Sequence, residues 1–227
     1  MYRGSSKNCQ KTFEDLKDGR ERIEKICREL LKNEIIVALG CTEPGTIAYA
    51  AACAKEILGA IPNHMEIYVS GNILKNVKSV VIPNTQNLKG IAEAAFCGIV
   101  GGNPKRKLEV LNTLTMADVE MVRKLVAEEN MYDVHLSRVQ EPLYVRVELI
   151  RGEHTSLVEI QKNHLNITKV QKDGKDITRQ YQYRECVGEV NGSEYKLKLK
   201  DIYNFAYETE IGDLENLMKL QITHNGR

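Results

Sequence analysis

LYVRVELI, residues 143–150, is the stretch that decides the class of fold. Leu143, Val145, Val147 and Leu149 fall on alternate positions, the period of a strand with one buried face. Residues 133–139, 156–161 and 165–171 have the same short, strand-like texture. Lys172-Asp173-Gly174-Lys175 after them is a hairpin turn signal. Four consecutive strands of this kind predict an antiparallel meander rather than a βαβ succession.

Working outward, the chain before residue 130 reads differently. Phe13, Leu16, Ile23, Ile26, Cys27, Leu30 and Leu31 recur at helical spacing and predict a helix over 10–33. A second helix is expected from about 43 to 59, rich in alanine, with Thr42 as its N-cap and Pro44 in its first turn. Residues 64–70 alternate as a short strand, and 70–76 read as a polar turn. A small-residue helix should run from about 88 to 100. Thr115 and Asp118 form a capping-box pattern opening a helix to about Asn130, with Val119, Val122, Leu125 and Val126 as its buried stripe. Residues 178–200 carry no clear pattern, and from Asp201 helical spacing returns. The fold class is therefore α+β: N-terminal helices with short strands, an antiparallel meander sheet, then a short helical tail.

Composition narrows the function. The 227 residues are 42% hydrophobic and 28% charged, and 32 basic against 31 acidic residues give a net charge of +1. A chain that neutralises phosphates usually shows a basic excess or stripe, so no nucleic-acid partner is expected. No apolar run approaches the roughly 18 residues of a membrane span. The polar N-terminus lacks a signal-peptide core. No membrane partner is expected, and the compartment implied is the cytoplasm. Cys9, Cys27, Cys41, Cys53, Cys97 and Cys186 are scattered, with no CxxC pair, so neither disulfides nor a zinc ribbon is expected.

Leu39-Gly40-Cys41-Thr42-Glu43-Pro44 is the most informative segment for chemistry. A cysteine just before a helix N-terminus sits among unpaired N–H groups at the positive end of the macrodipole, which favours the thiolate. Such a thiol can serve as base, nucleophile or metal ligand, and the plainer alternative is a capping-region residue with no reactive role. Ser70, Asn72, Lys75 and Asn76 in the 70–76 segment supply a hydroxyl, amides and an ammonium suited to a small carboxylate, or else form a polar surface turn. His154 and His164 can pair as ligands across adjacent strands, though structural roles are commoner for strand histidines. Cys53 and Cys97 read as core residues.

These residues resemble a known family. Gly40-Cys41-Thr42-Glu43-Pro44, SGNILKN at 70–76, Val81-Ile82-Pro83, the Gly101-Gly102-Asn103-Pro104 turn, Leu108-Glu109-Val110-Leu111 and HTSLVEIQKNHLNITKVQKDG are similar to the L-cysteine desulfidase family, grouped with iron–sulfur serine dehydratase alpha chains. The resemblance runs from about residue 24 to 175. It implies a lyase of amino-acid catabolism, in which an iron of a [4Fe–4S] cluster acts as Lewis acid while a base takes the α-proton of L-cysteine or L-serine. It implies Cys41 as that catalytic base. Thr42 and Glu43, and on polarity Ser70, Asn72, Lys75 and Asn76, are the expected substrate contacts.

The departures from that pattern shape the expectation. Members of the family are close to twice this length, and their cluster cysteines lie in a glycine-rich C-terminal half beyond Arg227. No metal ligand and no cofactor are therefore expected in this chain alone, and it should be inactive without a partner chain carrying the cluster half. Residues 1–22 then form a polar extension with the helix start, and 23–227 the N-terminal part of the catalytic domain. A split enzyme predicts an open apolar face on the helices at 44–59 and 88–100; a homo-oligomer is the other expected assembly. The family's glycines after Ile-Pro are replaced here by Asn84-Thr85-Gln86-Asn87-Leu88-Lys89-Gly90, which should restrict the backbone. The alternative reading is a non-catalytic small-molecule binding or regulatory module on the same fold.

Overall fold

A computed structural model describes residues 19–185 and 197–225. The chain divides into two compact units, one drawn from residues up to 36 and from 188 onward, the other spanning 37–187. In chain order the elements are α1 (Gly19–Glu34), α2 (Thr42–Leu58), β1 (His64–Val69), α3 (Gly71–Val77) and α4 (Ile91–Gly101). A kinked 3-10 segment (Pro104–Glu109), α5 (Met116–Ala127), β2 (Tyr132–Leu136), β3 (Tyr144–Arg151), β4 (His154–Gln161) and β5 (Ile167–Lys172) follow. The last are β6 (Lys175–Asp176), α6 (Thr178–Glu185), α7 (Leu199–Glu208), a 3-10 turn (Gly212–Leu214) and α8 (Glu215–Asn225).

The α+β reading holds, with helices first, one sheet, and short helices last. The sheet order is β2-β1-β3-β4-β5-β6. From β3 to β6 it is the expected antiparallel meander. The Asp173-Gly174 hairpin forms with both residues at positive φ, the primed turn that matches strand twist. The meander does not extend to β2. The strand β1 lies between, parallel to β2 and antiparallel to β3. A parallel neighbour needs a long crossover, and α3, α4 and α5 supply it.

Alternation places Met65, Ile67, Val69, Val145, Val147 and Leu149 on the buried face, joined by Val158 and Ile160. Helix α2 covers this face, and every residue from Pro44 to Ala54 is buried. Its alanines explain this, since short side chains let strands and helices close on all sides. Ser156 Oγ donates to Ala54 O at 2.8 Å and fixes α2 on β4. Helix α4 approaches so closely that a Cβ on Gly98 would lie 2.1 Å from Ala48 O. Most of α4 is buried as well. The open apolar face expected on these two helices is thus closed within the chain itself.

Residues 71–77 are not the expected turn but helix α3. Ser70 caps it by accepting from Ile73 N, and Ile73 and Val77 are buried one turn apart. The capping box of Thr115 and Asp118 opens α5 as read from the sequence, and Val119, Val122 and Leu125 are buried on it.

In the other unit, Ile26 and Cys27 are buried on α1. Arg28 reaches Asp213 Oδ1 at 2.6 Å and the carbonyls of Glu210 and Ile211, and Lys32 also meets Asp213. Residues 10–18 of the expected first helix, together with Cys9 and Cys186, lie outside the described residues. Among the described residues no helix is long and apolar enough to cross a membrane.

Candidate functional site

Gly40 takes φ +72°, a left-handed conformation that glycine adopts without penalty, and any Cβ there would stand 3.1 Å from the Pro83 ring. This sharp turn delivers Cys41 to the N-cap of α2, one residue before the Thr42 expected there. The Cys41 side chain makes no cap bond. Instead its Sγ donates to Glu43 Oε2 at 2.8 Å. The other oxygen, Oε1, accepts from Asn76 Nδ2 at 2.9 Å. Helix α3 therefore brings Asn76 to the start of α2.

One turn into α2, the buried Thr46 links this cluster to the β4–β5 turn. Its Oγ1 donates to Thr42 O at 2.9 Å and stands 2.7 Å from His164 Nδ1. A hydroxyl has one proton, and with it on Thr42 O the oxygen accepts from Nδ1–H. The Nε2 of His164 then carries the lone pair.

The electrostatics reverse one expectation. Burial, followed by the hydrogen bond to Glu43, pushes the Cys41 thiol above its ordinary value, and the nearby backbone N–H groups offset only part of this. The helix N-terminus alone would favour thiolate, but burial and, after it, a carboxylate at contact distance outweigh it. Burial by itself would raise Glu43, yet bonds from Cys41, its own N–H and Asn76 hold it below the usual carboxylate range. Burial also depresses His164, which keeps the imidazole neutral, with the Glu43 charge opposing.

Of the residues expected to meet a substrate, Cys41, Thr42, Glu43 and Asn76 come together. Ser70 is occupied structurally: it is buried and its Oγ donates to Pro142 O at 2.7 Å. Asn72 and Lys75 are exposed on α3, and their side chains make no hydrogen bond or ion pair among the described residues. His154 and His164 do not pair. They flank opposite ends of β4, and His154 faces Asp173 at 3.3 Å. Thr46 and His164 join the site because α2 runs antiparallel to β4, a tertiary relation with no sequence signal. The 84–90 loop beside Gly40 is also less restricted than expected. Asn84, Gln86 and Asn87 all take positive φ without glycine. The buried Thr85 holds them, with Oγ1 donating to Ile82 O and accepting from Leu88 N.

The chain is 39% identical over 198 residues to a UPF0597 protein of Lachnoclostridium phytofermentans, covering 87% of this chain and 46% of that protein. A UPF0597 protein of Finegoldia magna is 40% identical over 200 residues, covering 88% and 47%. One from Fusobacterium nucleatum is 36% identical over 208 residues, covering 90% and 47%. The chain thus spans about half the length of these curated relatives. No family model matches it. No solved structure matches it either. These relatives correct the resemblance drawn from the motifs: none bears an iron–sulfur, desulfidase or serine dehydratase name, and an iron–sulfur amino-acid lyase has no support among them.

Proposed function

We propose that Cys41, Glu43 and Asn76, with Thr46 and His164 behind them, form an acid–base site for a small zwitterionic molecule such as an amino acid. The observation that carries this reading is the 2.8 Å contact of the Cys41 thiol with a carboxylate that Asn76 also holds. A helix N-terminus suits the ligand's carboxylate, and Glu43 suits its ammonium. An arriving ammonium offsets the Glu43 charge, lowers the thiol's pKa and leaves Cys41 ready to exchange a proton with the ligand. Thr42 lines the same turn. Cys41, Thr42 and Glu43 are half-buried and Asn76 is exposed, which leaves a second chain or a second copy room to complete the site. The free thiols of Cys27, Cys41 and Cys97 support a reducing compartment, the cytoplasm.

The test is alkylation of Cys41 by iodoacetamide, followed by peptide mass spectrometry, with a panel of small amino acids present. Protection by some members, lost in Glu43→Gln, is the expected result. Equal alkylation with every compound would end the proposal.

A further inference from the structure

At the other end of β1, and on the opposite face of the sheet from the core, lies a second cluster. We propose that His64 Nε2, Glu66 Oε1 and Asp133 Oδ2 bind a divalent first-row transition metal ion.

The backbone brings these residues together. Strand period puts His64 and Glu66 on the outer face of β1, and parallel register sets Glu66 beside Asp133 and Tyr68 beside His135. His64 Nε2 stands 3.0 Å from Glu66 Oε1 and 3.5 Å from Asp133 Oδ2. All three donor atoms lie within 4.8 Å of one another. With bonds of about 2.0–2.2 Å, neighbouring ligand atoms around such an ion sit roughly 3–3.6 Å apart. The spacing therefore accepts an ion with small side-chain adjustments.

The surrounding groups orient these donors as outer-shell partners do. His64 Nδ1 donates to Asn130 O at 2.8 Å, which turns Nε2 toward the carboxylates. His135 Nε2 holds the second oxygen of Glu66 at 2.5 Å, leaving Oε1 directed at His64. The His135 ring is itself stacked on Tyr68, with centroids 4.6 Å apart. One imidazole and two carboxylates favour a first-row ion such as zinc or manganese over calcium, which takes oxygen donors alone. Three protein ligands leave coordination positions open for water or a further ligand.

The experiment uses the full chain stripped with a chelator, titrated with Zn²⁺ by calorimetry and with Co²⁺ by absorbance. The expected result is one ion per chain, with ligand-field bands and no thiolate charge-transfer band. Asp133→Asn, at an exposed position that leaves the fold intact by circular dichroism, weakens binding at least as much as an outer-shell change. His135→Gln weakens it about 10–100-fold, the range for outer-shell partners. Failure of the wild-type chain to bind either ion, binding unchanged in both variants, or a thiolate band would each overturn the proposal.

Discussion

Cys41 and Glu43 hold one proton between them, and where it resides sets the character of the site. Glu43→Gln removes the carboxylate that helps keep the thiol protonated. We predict faster alkylation of Cys41 at neutral pH in this variant, about tenfold for each unit by which the thiol pKa falls. An unchanged rate would show that burial alone sets the thiol. The same pair gives a stability prediction whose sign follows from its direction. The lowered Glu43 stabilises the fold above the ordinary carboxyl value of 4.5, and that contribution is lost as pH falls through its folded value. The raised Cys41 contributes below the ordinary thiol value of 9.0 and loses this as pH rises. Urea midpoints of wild type and Glu43→Gln should therefore differ at neutral pH and converge as pH falls below the lowered folded value of Glu43. Cys97 differs from Cys41: burial pushes it up to about 12, so a neutral-pH alkylating reagent should leave it unmodified.

Helices α2 and α4 show how far small residues govern an element's position. In Gly98→Ala the added carbon meets backbone of α2, which cannot swing aside as a side chain does. The helices must separate, and we predict a loss of about 1–3 kcal/mol or more, read as a lower thermal midpoint. A midpoint equal to wild type would mean that the two helices are not so closely apposed. Thr115→Ala tests a terminus instead. It removes the half of the α5 capping box in which Thr115 Oγ1 accepts from Asp118 N, leaves the Thr115 N–H on the Asp118 carboxylate, and should cost about 1 kcal/mol without altering the sheet. Capping and hairpin chemistry were legible in the sequence because each depends on residues within one turn. Helix α3 was not, since a polar surface hid its two buried positions, Ile73 and Val77.

The unit spanning 37–187 is organised around a core whose buried members run from Ile47 to Val170. We predict that residues 37–187 expressed alone unfold in one cooperative transition, monitored by circular dichroism and near-ultraviolet absorbance together. Non-coincident transitions would show that the residues outside this span are needed for its packing. Because the chain covers about half the length of its relatives, the acid–base site, the outer-face cluster and the exposed Leu199, Tyr203 and Tyr207 of α7 are the surfaces to compare with longer homologues.

The sequence by itself determined the α+β class, the β3–β6 meander with its Asp173-Gly174 turn, the α5 cap and the place of Cys41 just before a helix N-terminus. All of these are set by periodicity or by contacts between near neighbours. It also marked Cys41, Glu43 and Asn76 as candidates. Only the tertiary structure placed β1 between β2 and β3, joined Thr46 to His164, parted His164 from His154, and gathered His64, Glu66 and Asp133. The charge state of Cys41 belongs to this second group. A helix N-terminus can be read from sequence, but the opposing carboxylate and the degree of burial that outweigh it depend on how side chains pack in three dimensions.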